Sequence, residues 1–215
     1  MLLFLATHTR GNKDQLIGYW YSHEEKVYGK DNLIVWNAST TSTMKSNFSI
    51  LYMNLGLVSP SFEHEGRFPR KHTQEGQGAQ TNISPPLEWY NVPEGTKSLA
   101  LVVQDIDAPS LGGATVPWTH WVVENIPPTL KGLPEGYSSM KDELGGEFDG
   151  IKEGINDWKV LGWRGGTLPS HGHRIEFRLY ALDDYINVGN KVTRDKLLEA
   201  MNGHILGEAV LIAIF

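Results

Sequence analysis

From Leu55 onward, the strong apolar runs of this chain are no longer than a β-strand, and proline- or glycine-rich connections separate them. SPPLEWYNVPEG, SLALVVQDID, APSLGGATVP, WTHWVVENI and PPTLKGLPEG succeed one another, and later HRIEFRLYALD. Runs of this length between turn formers read as strands, and many strands with few helices predict a mainly β, sandwich-like core. One helix is legible. Thr193 suits its N-cap, Asp195 its first turn, LLEAM its apolar face and Gly203 its stop. The closing EAVLIAIF reads as a buried last strand. Between them, residues 138–168 are glycine-heavy and long for a loop, so this stretch is either functional or held by Phe148, Trp158 and Trp163.

Residues 1–53 differ. They are rich in Asn, Thr, Ser, Tyr and Trp without a sustained period of 2 or 3.6, and they read as an N-terminal extension before a domain over 54–215. A chain of 215 residues, 40% hydrophobic and 20% charged, is of globular composition. A domain of this size buries roughly 70% of its unfolded surface and needs no staple. None is available: there is no cysteine, which excludes disulfides, thiolate metal sites and a cysteine nucleophile, and fits a reducing, cytoplasmic setting. The net charge of −6, without a Lys/Arg run, argues against a nucleic-acid partner. The opening MLLFLATHTR has too short an apolar run for a secretory signal, and no run approaches a membrane span, so no integral membrane association is expected. The glycosylation sequons at Asn37, Asn47 and Asn82 then read as chance matches.

Three segments carry chemistry. In VVQDIDAP, Asp105 and Asp107 are two apart, so on an extended chain both point to one side, and Pro109 stiffens the end of the strand. In PWTHWVV, Trp118 and His120 share a face and Trp121 takes the other. In HGHRIEF, His171, His173, Ile175 and Phe177 share a face, with Arg174, Glu176 and Arg178 opposite. Converging strand ends would make a pocket floor of acids, imidazoles and a tryptophan. Each residue also has a structural reading: the aspartates as turn caps, His120 as a satisfied core histidine, the tryptophans as core, Arg174 as the partner of an acid under the pocket.

DIDAP, then WTHW, then a Gly/Pro loop running into GHR, strongly resembles the signature of the phosphatidylethanolamine-binding protein (PEBP) family, nearest its bacterial-type branch as found in plants. The resemblance runs from about Leu55 to Phe215 and includes SPPLEW and GHILGEAVLIAIF. It implies a PEBP-like β-sandwich with one or two peripheral helices and a small, rigid pocket for phosphate- or carboxylate-bearing groups. Carried over by position, the pocket residues are Asp105, Asp107, Trp118, His120, Gly165 and His173, with Gly166 beside them and Pro109 and Arg174 as structural neighbours. Three positions depart from the family pattern: Ile106 stands where proline is usual, Gly165-Gly166-Thr167-Leu168-Pro169 lacks two prolines, and Ile175 replaces a tyrosine hydroxyl.

The function this implies is non-enzymatic: binding a small anion or phospholipid headgroup, with a protein partner in signalling. No cofactor and no metal are implied. His120 and His173 are expected to be protonated beside Asp105 and to donate to ligand oxygens, Gly165 and Gly166 to offer backbone N–H groups, and Asp107 to accept from loop N–H groups. Two alternatives stay open. One is a phosphoester hydrolase using His/Asp or a metal; the ligand types for zinc are present, but the spacing is not a zinc motif and no G-x-S-x-G elbow exists. The other is a scaffold with a vestigial pocket.

Overall fold

The computed structural model describes residues 54–75, 81–108, 116–167, 172–189 and 191–215, together with the backbone of three earlier strands. Pro109 and His171 lie outside the described residues. The chain divides into two compact units, Met1–Ile50 and Leu51–Phe215. In the first, β1 (Leu2–Thr9) pairs antiparallel with β2 (Asp14–Tyr21), and β2 with β3 (Ile34–Val35). Strand pairing here came without a period-2 signature, because LLFLATHT and QLIGYWY set apolar residues side by side.

The second unit has two sheets. The strands are β4 (Gly56–Val58), β5 (Gly66–Arg67), β6 (Leu87–Tyr90), β7 (Ser98–Asp105), β8 (Trp118–Ile126), β9 (Gly132–Leu133), β10 (Lys152–Glu153), β11 (Arg174–Leu182) and β12 (Ile205–Ile214). The larger sheet runs β10-β8-β7-β11-β12-β5 and the smaller β4-β6-β9, all antiparallel except the β12–β5 pair. Leu57, Leu87, Trp89 and Leu133 of the small sheet share one buried cluster with Leu101, Val103, Phe177 and Leu211 of the large sheet. The other face of the large sheet, with Ala100, Val102, Val122 and Tyr180, packs against Leu197 and Met201. Those two lie on α2 (Arg194–Met201). Cover on both faces is why β7 reads as an unbroken apolar run.

The helix expectations held in outline. Thr193 sits at the N-cap with extended backbone, though its hydroxyl makes no capping bond, and Gly203 comes just after the helix at φ +84°. A second helix, α1 (Tyr137–Leu144), occupies the start of the stretch expected to be a long loop, between glycines at φ +76° and +57°. The rest of that stretch is held by aromatics. Trp163 packs 6.3 Å from Phe68 and 6.4 Å from Phe177, ring centre to ring centre. The last strand departs from expectation: β12 is half-buried, with Ala209, Leu211 and Ala213 inward. It pairs with only a two-residue strand, β5, on its outer side, and one of its faces is partly open.

Candidate functional site

Asp105 ends β7, opposite Trp118 of β8 and Ile175 of β11. Its carboxylate does two things. Oδ2 lies 2.8 Å from His173 Nδ1, and Oδ1 accepts the backbone N–H of Asp107 at 2.9 Å. The second bond is a local side-chain turn that bends the chain at Ile106. Beyond the bend the period of two no longer applies, and the expectation that Asp105 and Asp107 face one side fails. Asp107 turns to Arg174, accepting from Nε at 2.8 Å, from the second guanidinium nitrogen at 2.7 Å and from the backbone N–H at 2.9 Å. This pair holds the Asp107 carboxyl down at about 2. Asp107 accepts a backbone N–H group, but from the first residue of β11 and not from a loop as expected, and Arg174 pairs with it at the surface, its side chain 52% exposed, not under the pocket.

The face assignment of the second motif also changes. Val103 stands opposite Trp121 and Gln104 opposite Thr119, so His120 is an extra residue in β8, a β-bulge. With one residue inserted, Trp118 and Trp121 come to the same face, where alternation put them on opposite ones. Trp121 is fully buried, as its core reading had it, while Trp118 is 40% exposed at the rim. The bulged His120 packs its ring 5.0 Å from Trp158 and 5.9 Å from Trp163.

His120 is tied to the glycine segment at both backbone and side chain. Arg164 N–H donates to the His120 carbonyl at 3.1 Å, and His120 Nδ1 meets the Arg164 carbonyl at 2.8 Å. A carbonyl only accepts, so Nδ1 carries the proton and Nε2 of the neutral ring presents a lone pair. Burial pushes the imidazole down to about 4, over the opposing pull of the Arg164 carbonyl, Asp105 and Asp157. The expectation of a protonated His120 donating to an anion is therefore corrected: desolvation outweighs the nearby carboxylates.

The two glycines serve packing. A Cβ on Gly165 would stand 2.1 Å from the His72 carbonyl oxygen, and one on Gly166 3.2 Å from His120 Cε1. Gly165 N–H is already bound to Asn82 Oδ1 at 2.7 Å, so this donor, expected for a ligand, is spent inside the protein.

Asp105, His173, Trp118, His120, Gly165 and Gly166 thus meet in one place, and Asp107 with Arg174 flanks it outside. Sequence reasoning missed four neighbours. Asn82 holds Gly165; Asp157 accepts Thr119 N–H at 2.7 Å; Trp158 packs on His120; Arg164 lies 5.6 Å over the Trp158 ring. The sequon at Asn82 marked the residue but not its role, since its partner is far along the chain. Among the described residues no group of three His, Asp or Glu could hold a metal ion.

Two facing sheets, with acid and imidazole side chains gathered at strand ends under a glycine segment, define a β-sandwich protein with a strand-end cluster. The family model for the phosphatidylethanolamine-binding protein matches residues 58–215, and the chain belongs to that family. A UPF0098 protein of the archaeon Methanothermobacter thermautotrophicus is 44% identical over 161 residues, covering 75% of this chain and 98% of that protein. Among solved structures, a PEBP homologue from Chlamydia trachomatis is 33% identical with a TM-score of 0.65, over 75% of this chain and 97% of that one. An E. coli protein described as a new member of the mammalian PEBP family is 29% identical, with a TM-score of 0.64, over 75% and 98%. Among the described residues no helix is long and apolar enough to cross a membrane.

Proposed function

We propose that this chain is a non-enzymatic cytoplasmic binding protein whose strand-end pocket takes one small phosphate- or carboxylate-bearing group, on a headgroup, a nucleotide or a modified side chain, and presents the loaded state to a signalling partner. The observation that carries this reading is the convergence of the Asp105–His173 pair, His120 and the close-packed Gly165–Gly166 backbone. Neutral His120 reshapes the chemistry. Its Nε2 lone pair favours a ligand that brings an O–H, such as a monoprotonated phosphate ester, whose last proton leaves near pH 6. Calorimetric titration with phosphoethanolamine and with sulfate tests this. Phosphoethanolamine should weaken as pH rises through about 6, while sulfate, which has no proton to lose there, should not change. A parallel loss of sulfate affinity would remove the ligand's proton as the cause. One observation favours a weaker, scaffold-like pocket: the Gly165 N–H is already spent on Asn82. Absence of any saturable binding would decide for that second reading.

A further inference from the structure

Residues 54–215 hold eight lysines. Lys71, Lys97, Lys141 and Lys152 each stand in an ion pair with a carboxylate. Among the described residues the other four have no such partner, and three of them, Lys159, Lys191 and Lys196, line one groove. The fourth, Lys131, lies elsewhere. In a chain with a net charge of −6, this groove gathers the three lysines and Arg194 against only two carboxylates, Asp157 and Asp195, a local excess of positive charge.

The groove, about 410 Å³, runs between the 155–159 loop and the start of α2. Its acids are engaged. Asp157 accepts the Thr119 N–H at 2.7 Å, and Asp195 pairs with Arg194 at 3.0 Å. Its floor is rigid and polar. Thr119 and Asn156 are buried, and the Asn156 amide bonds Trp158 N–H, Val160 N–H and the Gly162 carbonyl. Lys196 Nζ reaches the Lys191 backbone carbonyl at 3.3 Å, which ties the first turn of α2 to the segment before it; Lys159 comes from the 155–159 loop. A cleft with a net excess of positive charge concentrates anions. The volume exceeds what a single orthophosphate fills, and three point charges spread around it match an anion of two or more charges.

We propose that this groove is a second anion site, separate from the His120 pocket, and that it takes a diphosphate group, free or carried on a nucleoside. Lys159 contacts it from the 155–159 loop, and Lys191 and Lys196 from the segment leading into α2 and its first turn. Trp158, between Asp157 and Lys159, faces His120, so the same loop borders both sites.

The test is calorimetric titration of the full chain, in magnesium-free buffer, with pyrophosphate and with adenosine diphosphate. The variants are Lys159→Ala, Lys191→Ala and Lys196→Ala, with Lys131→Ala and His120→Gln beside them. Each groove lysine should cost about tenfold in affinity for both ligands, as expected for a charge-assisted contact. Lys131→Ala should leave it unchanged, the tenfold lysine dependence should persist in the His120→Gln background, and raising salt should weaken binding steeply. Diphosphate binding abolished by His120→Gln and indifferent to the lysines would overturn the groove and place the ligand in the first pocket. Failure of both ligands to bind would overturn the groove whatever the first pocket does.

Discussion

Two carboxylates, two residues apart, end β7, and they live in different solvents. Asp105 faces inward, its side chain 9% exposed against a His173 that is 13% exposed; Asp107 faces outward, against an Arg174 that is half in water. Both are acid–base pairs of similar length. What separates them is the bond from Asp105 to the Asp107 N–H, which bends the strand between them. The inner pair lies near His120 and Gly165, where the backbone is close-packed: a Cβ on Gly165 would stand 2.1 Å from the His72 carbonyl oxygen. The outer pair staples β11 to the loop after β7 and can be rearranged by water. The same residue type therefore orients an imidazole on one side of the bend and ties a surface loop on the other.

The strongest test of that contrast is steric. Gly165→Ala puts a methyl group into the His72 carbonyl, which is backbone and cannot rotate aside. The expected loss is about 3 kcal/mol of unfolding free energy, at the upper end for overpacking, measured by urea denaturation. A loss below about 1 kcal/mol would mean that the inner wall has slack after all.

Next in size is the pH response. The folded chain refuses a proton on His120 down to about 4, while the unfolded chain takes it up near 6.5. Between those values the unfolded state binds more protons, so stability falls as pH falls, by about 3 kcal/mol across the window for this residue. His72, also pushed down by burial, works in the same direction. His120→Gln should flatten the dependence between pH 6.5 and pH 4. An unchanged slope would transfer the effect to His72.

The smallest effect compares the two acids directly. Asp105→Asn takes the buried carboxylate from the part-buried His173 and should cost about 2 kcal/mol together with ligand affinity. Asp107→Asn should cost less, fade at high salt and spare the ligand, because its partner is solvated. Equal costs, or loss of binding in both variants, would erase the distinction.

How much of the molecule was legible in its residues depends on which rules are local. Strand-length runs, the α2 caps and the ordered DIDAP, WTHW and GHR motifs were sufficient for the fold class and for the neighbourhood of the site. Alternation predicted His173, Ile175 and Phe177 on one face, and Ile175 and Phe177 are both fully buried in the main cluster. Alternation failed at Ile106 and at His120, where a turn bond and a bulge each interrupt the period. These are the places where the site is built, since a bulge re-aims a side chain that a regular strand would not.

By itself, the sequence determined what depends on residue type and short-range order: a mainly β domain, no thiol chemistry, one family, and a short set of candidate site residues. Only the tertiary structure decided their states. Whether a histidine is charged depends on how completely water is removed from it, and whether a glycine N–H is free depends on an asparagine far along the chain. Burial and long-range contact are properties of the packed whole, which no local run of residues encodes.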